Sequence, residues 1–182
     1  MPDILYISGY FRFYMAKHEI ATFAGGCFWC SEADFRKEPC VLSITSGYTG
    51  GRKKNPTYEE VCTGKIGHYE AVEIAYDPSR ISYKELLSIY WSHIDPTDPN
   101  GQFVDRGSQY RTAIFYHTQD QRRIAEDSKK NLDSSGRYDK PIATEILPAA
   151  PFFPAEEYHQ SFSEKNPIRY KHYRAASGRP VH

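Results

Sequence analysis

Two thiols three residues apart, Cys27 and Cys30, enclose two large aromatics and follow two glycines in the stretch Ala24-Gly25-Gly26-Cys27-Phe28-Trp29-Cys30-Ser31-Glu32. An alternating run, Ile20, Thr22 and Ala24, leads into it as a strand would, and beyond it the pattern turns helical. A glycine pair between strand and helix permits a tight turn, which predicts Cys27 at or near the first residue of a helix. Unpaired N–H groups point outward there and favour a thiolate, so the expected chemistry is nucleophilic or redox chemistry at sulfur. Most free cysteines are small buried hydrophobes instead. The adjacent glycines and the second thiol weigh toward reactivity.

The elements that must position these thiols read as strand 19–24, helix 27–38, strand 41–46, a loop carrying Gly47-Tyr48-Thr49-Gly50-Gly51, and strand 69–77. Ser82 and Glu85 form a capping box for a helix over 83–94, with Leu86, Leu87, Tyr90, Trp91 and Ile94 as its apolar stripe. A Pro-Asn-Gly loop then delivers Asp105-Arg106-Gly107-Ser108-Gln109-Tyr110 to a strand over 111–116. A polar helix follows over 119–135, with Thr118 and Gln121 as a capping box, then strand 142–147 and a short helix near 155–163. This β-α-β-β-α-β order with additions predicts an α+β domain built on a ferredoxin-like, split β-α-β core.

At 182 residues the chain fits one domain, with 18–182 as the catalytic unit and residues 1–17 as an extension that the core does not need. That aromatic-rich segment has Asp3 where a signal peptide is basic, Arg12 interrupts it, and it is too short to span a bilayer. Lys+Arg and Asp+Glu are both 23, so nothing points to nucleic acid or to an anionic membrane surface. Four cysteines, at 27, 30, 40 and 62, with no matching histidine pairs, indicate neither a disulfide framework nor a metal site. A reducing cytoplasm is the expected compartment.

Five blocks, Gly26-Cys27-Phe28-Trp29, Gly47-Tyr48-Thr49-Gly50-Gly51, Pro56-Thr57-Tyr58, Gly67-His68-Tyr69-Glu70-Ala71-Val72 and Asp105-Arg106-Gly107-Ser108-Gln109-Tyr110-Arg111, together resemble the successive signatures of the A-type peptide methionine sulfoxide reductases. The likeness runs from about residue 18 to about residue 174. It implies reduction of the S epimer of methionine sulfoxide, free or in proteins, with thioredoxin as the ultimate electron source and with no metal or bound organic cofactor. Sulfoxide reduction by a thiolate needs a nucleophile, a proton donor and hydrogen-bond donors for the departing oxygen. Matched to the family pattern, Cys27 would be the nucleophile that becomes a sulfenic acid, and Glu70 the acid. Tyr48 and Tyr110 would hold the oxygen, and Asp105 would orient a water or polar group. Phe28 and Trp29 would wall a pocket for the methyl group.

Each residue also has a plainer reading. A glutamate opening a strand is ordinarily solvated, and Tyr48 and Tyr110 are two of fifteen tyrosines. Trp29 and Trp91 could both be core, and His68 and His159 loop histidines. Cys62, after Val61, reads as packing.

Many relatives carry resolving cysteines in a C-terminal tail, and none follows Cys62 here; the tail Tyr173–Pro180 has no assigned role, and Cys30 stands where relatives often have glycine. Residues at i and i+3 of a helix have Cβ atoms about 5–6 Å apart, near disulfide reach, which makes Cys30 the expected resolving thiol. Cys40 would sit at the far end of the same helix, and Cys62 is the runner-up. Two other classes fit parts of the pattern. A thioredoxin-like dithiol oxidoreductase would use Cys27 and Cys30 but has no use for the carboxyl and tyrosines. A non-catalytic module for methionine-containing peptides would leave the glycine-set cysteine unexplained.

Overall fold

The computed structural model describes residues 18–179; the segment 1–17, expected to be a dispensable extension, lies outside the described residues. In chain order the elements are β1 (Glu19–Gly25), α1 (Phe28–Arg36), β2 (Val41–Thr49), α2 (Tyr58–Cys62), β3 (Tyr69–Tyr76) and α3 (Tyr83–His93), followed by β4 (Gly101–Gln102), β5 (Asp105–Arg106), β6 (Thr112–Tyr116) and α4 (Gln119–Ser134). The last part of the chain adds β7 (Glu145–Pro148), β8 (Phe153–Pro154), α5 (Phe162–Lys165) and α6 (Pro167–Ala176). Short 3₁₀ turns at Ser108–Tyr110 and Glu157–His159 complete the α+β architecture.

Six strands form one sheet in the order β7-β6-β1-β3-β2-β8. β3 lies between β1 and β2 and is antiparallel to both, β6 is antiparallel to β1, and β7 runs parallel to β6. Side chains alternate across a strand, so Glu70, Val72, Ile74 and Tyr76 share one face of β3. On that face Val72, Ile74 and Tyr76 join Phe23, Phe28, Phe35, Leu86, Leu87 and Tyr90 in the main core, and five buried residues, Ala24, Tyr69, Ala71, Ala113 and Phe115, form a smaller cluster on the other. The register sets Tyr48 directly opposite Glu70 on the core face. Opposed pairs in an antiparallel ladder have neighbouring Cβ atoms.

The capping box at Ser82 and Glu85 is present in full, and the stripe Leu86, Leu87, Tyr90 and Trp91 is buried. At α4 the Thr118 hydroxyl accepts from the Gln121 N–H, but the Gln121 side chain is used elsewhere, accepting from His117 N–H and donating to the Ile20 carbonyl. That half of the box ties the helix to β1 instead.

Three stretches differ in extent or type from the sequence reading. β2 continues to Thr49 because Gly47, Tyr48 and Thr49 all pair with β3, so the expected loop begins only at Gly50. The strand expected over 142–147 starts at Glu145, since the N–H groups of Ala143 and Thr144 both go to the Pro96 carbonyl. The helix expected near 155–163 is a 3₁₀ turn followed by α5, and α6 then begins with Pro167 in the first-turn position that proline favours. A further element, α2, is set by a complete capping box between Thr57 and Glu60. Among the described residues no helix is long and apolar enough to cross a membrane.

Candidate active site

The turn between β1 and α1 is built as the glycine pair predicts. Gly26 has φ +82°, and a Cβ there would collide with the Arg179 guanidinium and the Gln102 side chain. Cys27 is the N-cap of α1, its carbonyl accepting from the N–H groups of Cys30 (3.1 Å) and Ser31 (3.3 Å). The Phe28 N–H, the first of the helix, donates to Glu70 Oε2 at 3.1 Å. Helix terminus and central strand are therefore joined through a carboxyl that is 1% exposed.

Burial dominates the titration of this carboxyl. It lifts Glu70 from 4.5 to about 8, with the charges of Asp105 and Cys30 adding to the rise while the Phe28 N–H and Arg179 oppose it. Glu70 therefore carries a proton at neutral pH, and the reading of it as a solvated strand residue fails on its burial.

Cys27 departs from expectation. Its place at the helix start was expected to favour the thiolate, but burial, a hydrogen bond to Cys30 and the charge of Glu70 hold its thiol well above the ordinary range. Burial of the sulfur weighs most, and the first N–H of the helix is directed to Glu70. Cys30 moves the other way, to about 7, because it accepts the Cys27 hydrogen bond and because Arg179 and Arg174 act on it against its own burial. Cys30 is therefore the more acidic thiol of the pair, and Cys27 keeps its proton near neutral pH.

The tyrosines flank this pair. The Tyr48 hydroxyl donates to Glu156 Oε2 at 2.9 Å, and Glu156 Oε1 also accepts from the Tyr58 N–H at 2.9 Å. Tyr110 lies where the charges of Glu70 and Cys27 act on it, and burial keeps its phenol protonated far above neutral pH. Tyr58 feels Glu70 and Cys27 in the same way. The Phe28 ring is buried against Tyr48 and His159, with centroids 5.9 and 5.0 Å away, so the half-buried part of the wall comes from Trp29, Tyr58 and Tyr110. Trp29 is fixed on two sides, stacking on Phe162 with centroids 3.7 Å apart and donating from Nε1 to His159 Nδ1 at 3.1 Å.

The sequence reading left several contributors unassigned. His159 is the orienting partner of Trp29, and accepting at Nδ1 puts its proton on Nε2. Tyr173 and Arg179, from the tail, close the site from below. The Tyr173 hydroxyl donates to Asp105 Oδ2 at 2.6 Å and lies within hydrogen-bond reach of Cys27, while Arg179 gives both terminal nitrogens to the Gly25 carbonyl at 3.2 Å. Asp105, expected to orient a water or polar group, accepts from the Tyr173 hydroxyl and lies 3.6 Å from Arg179. No spacing rule could have found these residues, because α6 reaches the site only through the tertiary fold.

The remaining candidates separate clearly. His68 is a loop histidine that accepts from Gly51 N–H and contacts the Lys53 carbonyl, so it shapes the glycine loop. Cys62 is exposed rather than packed, since Val61 takes the core side and Cys62 hydrogen-bonds with Tyr58. Cys40 lies just before β2, its carbonyl accepting from the Asp77 N–H beyond the end of β3 opposite to Glu70. Among the described residues no three His, Cys, Asp or Glu side chains converge to hold a metal ion.

A family model described as peptide methionine sulfoxide reductase matches residues 19–181. The chain is 59% identical over 163 residues to the peptide methionine sulfoxide reductase MsrA of Bacillus licheniformis, covering 90% of each protein. It is 56% identical to that of Listeria innocua, covering 88% of this chain and 91% of the relative. Among solved structures, reduced Mxr1 from Saccharomyces cerevisiae superposes with a TM-score of 0.79 at 32% identity, over 85% of this chain and 88% of that one. The methionine sulfoxide reductase A of Corynebacterium diphtheriae gives 0.72 at 36% identity, over 83% and 76%.

Proposed function

The chain belongs to the peptide methionine sulfoxide reductase family, and on that footing we propose that it reduces methionine-S-sulfoxide, free or in proteins, through Cys27, with Cys30 as the resolving thiol and thioredoxin as the reductant. The observation that carries this reading is Glu70, a buried carboxyl that keeps its proton to about pH 8 and is bonded to the residue next to the nucleophile.

The chemistry runs as follows. A proton shift along the hydrogen bond from Cys27 to Cys30 makes Cys27 the thiolate. It attacks the sulfoxide sulfur, forming an S–S bond, while the oxygen takes the Glu70 proton, with Tyr110 donating to it and Tyr48 turning its hydroxyl from Glu156 to do the same. The hydroxyl then passes to the Cys27 sulfur: an S–O bond forms there as the methionine S–O bond and the new S–S bond break, methionine leaves with the electron pair, and Cys27 is left as a sulfenic acid. Trp29, held by His159 and Phe162, offers its face to the methyl group, with Phe28 packed behind it. Cys30 returns its proton to Glu70 and attacks the Cys27 sulfur. An S–S bond forms, the S–O bond breaks, and the hydroxide leaves as water with the proton from Glu70. Thioredoxin then reduces the disulfide by exchange.

Turnover on the two separated sulfoxide epimers, with dithiothreitol as reductant, tests this. Reduction of the S form alone is expected. Disulfide exchange without sulfoxide reduction would select a thioredoxin-like dithiol oxidoreductase instead.

A further inference from the structure

Two arginines of the C-terminal segment are buried beside the resolving sulfur, Arg174 at 8% exposure and Arg179 at 4%. Burying a guanidinium costs several kcal/mol unless it is paired, so its partners report what it is for. Arg174 donates to Asp34 Oδ2 at 3.0 Å and hydrogen-bonds with Cys30. Arg179 spans the Gly25 carbonyl, Asp105 and the face of Phe103, and its charge also reaches Cys30. Resting on the reading of Cys30 as the resolving thiol, we infer that Arg174 and Arg179 are positioning residues for the second step, holding the Cys30 sulfur anionic when it must attack oxidised Cys27.

The timing makes the case. In the resting pair the largest influence favouring the Cys30 thiolate is the hydrogen bond from Cys27. That S–H is gone once Cys27 carries oxygen. Of the other groups facing Cys30, Glu70 opposes the thiolate by its charge, Tyr173 stays neutral, and Tyr170 hydrogen-bonds with Cys30 but adds no positive charge. The two arginines alone remain as cations, and neither charge depends on the redox state of Cys27. Attack then forms the S–S bond, oxidises Cys30, reduces Cys27 and expels hydroxide, which is protonated to water. Gly26 belongs to the same device, since a side chain there would displace Arg179 from the turn.

The test uses reduced full-length protein mixed with one equivalent of methionine-S-sulfoxide, following methionine release and thiol loss separately across pH. Arg174→Gln is expected to slow disulfide formation about tenfold below neutrality, its pH profile moving up by about one unit, and to slow methionine release less, because the Cys27 hydrogen bond still supports the Cys30 thiolate in that step. Asp34→Asn, which removes the carboxylate that shares Arg174, is expected to move the same profile down. Arg174→Lys should restore most of the rate. Opposite shifts from two substitutions in one buried ion pair are what a merely structural role would not give, and the Asp34→Asn and Arg174→Lys variants carry the test if Arg174→Gln does not fold. A Cys27–Cys30 bond whose formation shows the same pH profile in all variants would overturn the role of the arginines and leave the resolving thiol intact. A bond from Cys27 to Cys62 or Cys40 would remove both.

Discussion

Replacing Glu70 by glutamine should make the protein more stable while disabling it. The carboxyl titrates at about 8 in the folded chain against 4.5 ordinarily, so between those values the folded state binds a proton that the unfolded chain has released. Stability therefore falls as pH rises through that window, by up to 1.36 kcal/mol per unit. The full contribution is present below about pH 4.5 and is lost through about pH 8. Integrated from pH 5 to pH 8, the loss from this group is about 3–4 kcal/mol. Glutamine can still accept from the Phe28 N–H, and it has no charge to bury. Urea unfolding of wild type and Glu70→Gln at pH 5, 6.5 and 8 should give midpoints that nearly coincide at the lowest pH and separate by roughly 1–2 M at the highest. The variant should meanwhile lose most of its methionine release, because an amide holds an oxygen but does not protonate it. Unfolding curves separated by the same amount at all three pH values would refute the buried-acid account.

Cys30→Ser should release one equivalent of methionine and then stop under thioredoxin while still turning over with an excess of small thiol, which rapid-quench and steady-state assays separate. Gly26→Ala meets both a left-handed φ of +82° and the Arg179 and Gln102 side chains, and should lower stability by about 2–4 kcal/mol in chemical denaturation. Trp29→Leu removes the bond to His159 and the stack on Phe162, and should raise KM for methionine sulfoxide by roughly tenfold with a smaller change in kcat.

Much of the site was legible because it is local. The glycine pair, the cysteine at the helix start and the strand that opens at Glu70 are each announced by neighbours in sequence, as is the capping box of α3. What escaped depends on contacts that sequence distance hides. Tyr48 reads as a loop residue until β3 and β8 pair with it on both sides. Tyr173 and Arg179 carry no motif, yet they reach Asp105 and Gly25 across the fold. The protonation of the thiols was inverted for a related reason: burial by the tertiary fold outweighs the helix-start position of Cys27, whose hydrogen bond in turn favours the thiolate of Cys30.

The central claim is that Cys27 takes the oxygen, and one labelling experiment reads it directly. Reduced Cys30→Ser protein is mixed with one equivalent of methionine-S-sulfoxide carrying a heavy oxygen isotope, trapped with a sulfenic-acid reagent and digested. The account predicts methionine release matched by trapped, labelled oxygen on the Cys27 peptide alone, with Cys40 and Cys62 still free. Methionine released with Cys27 unmodified would contradict it.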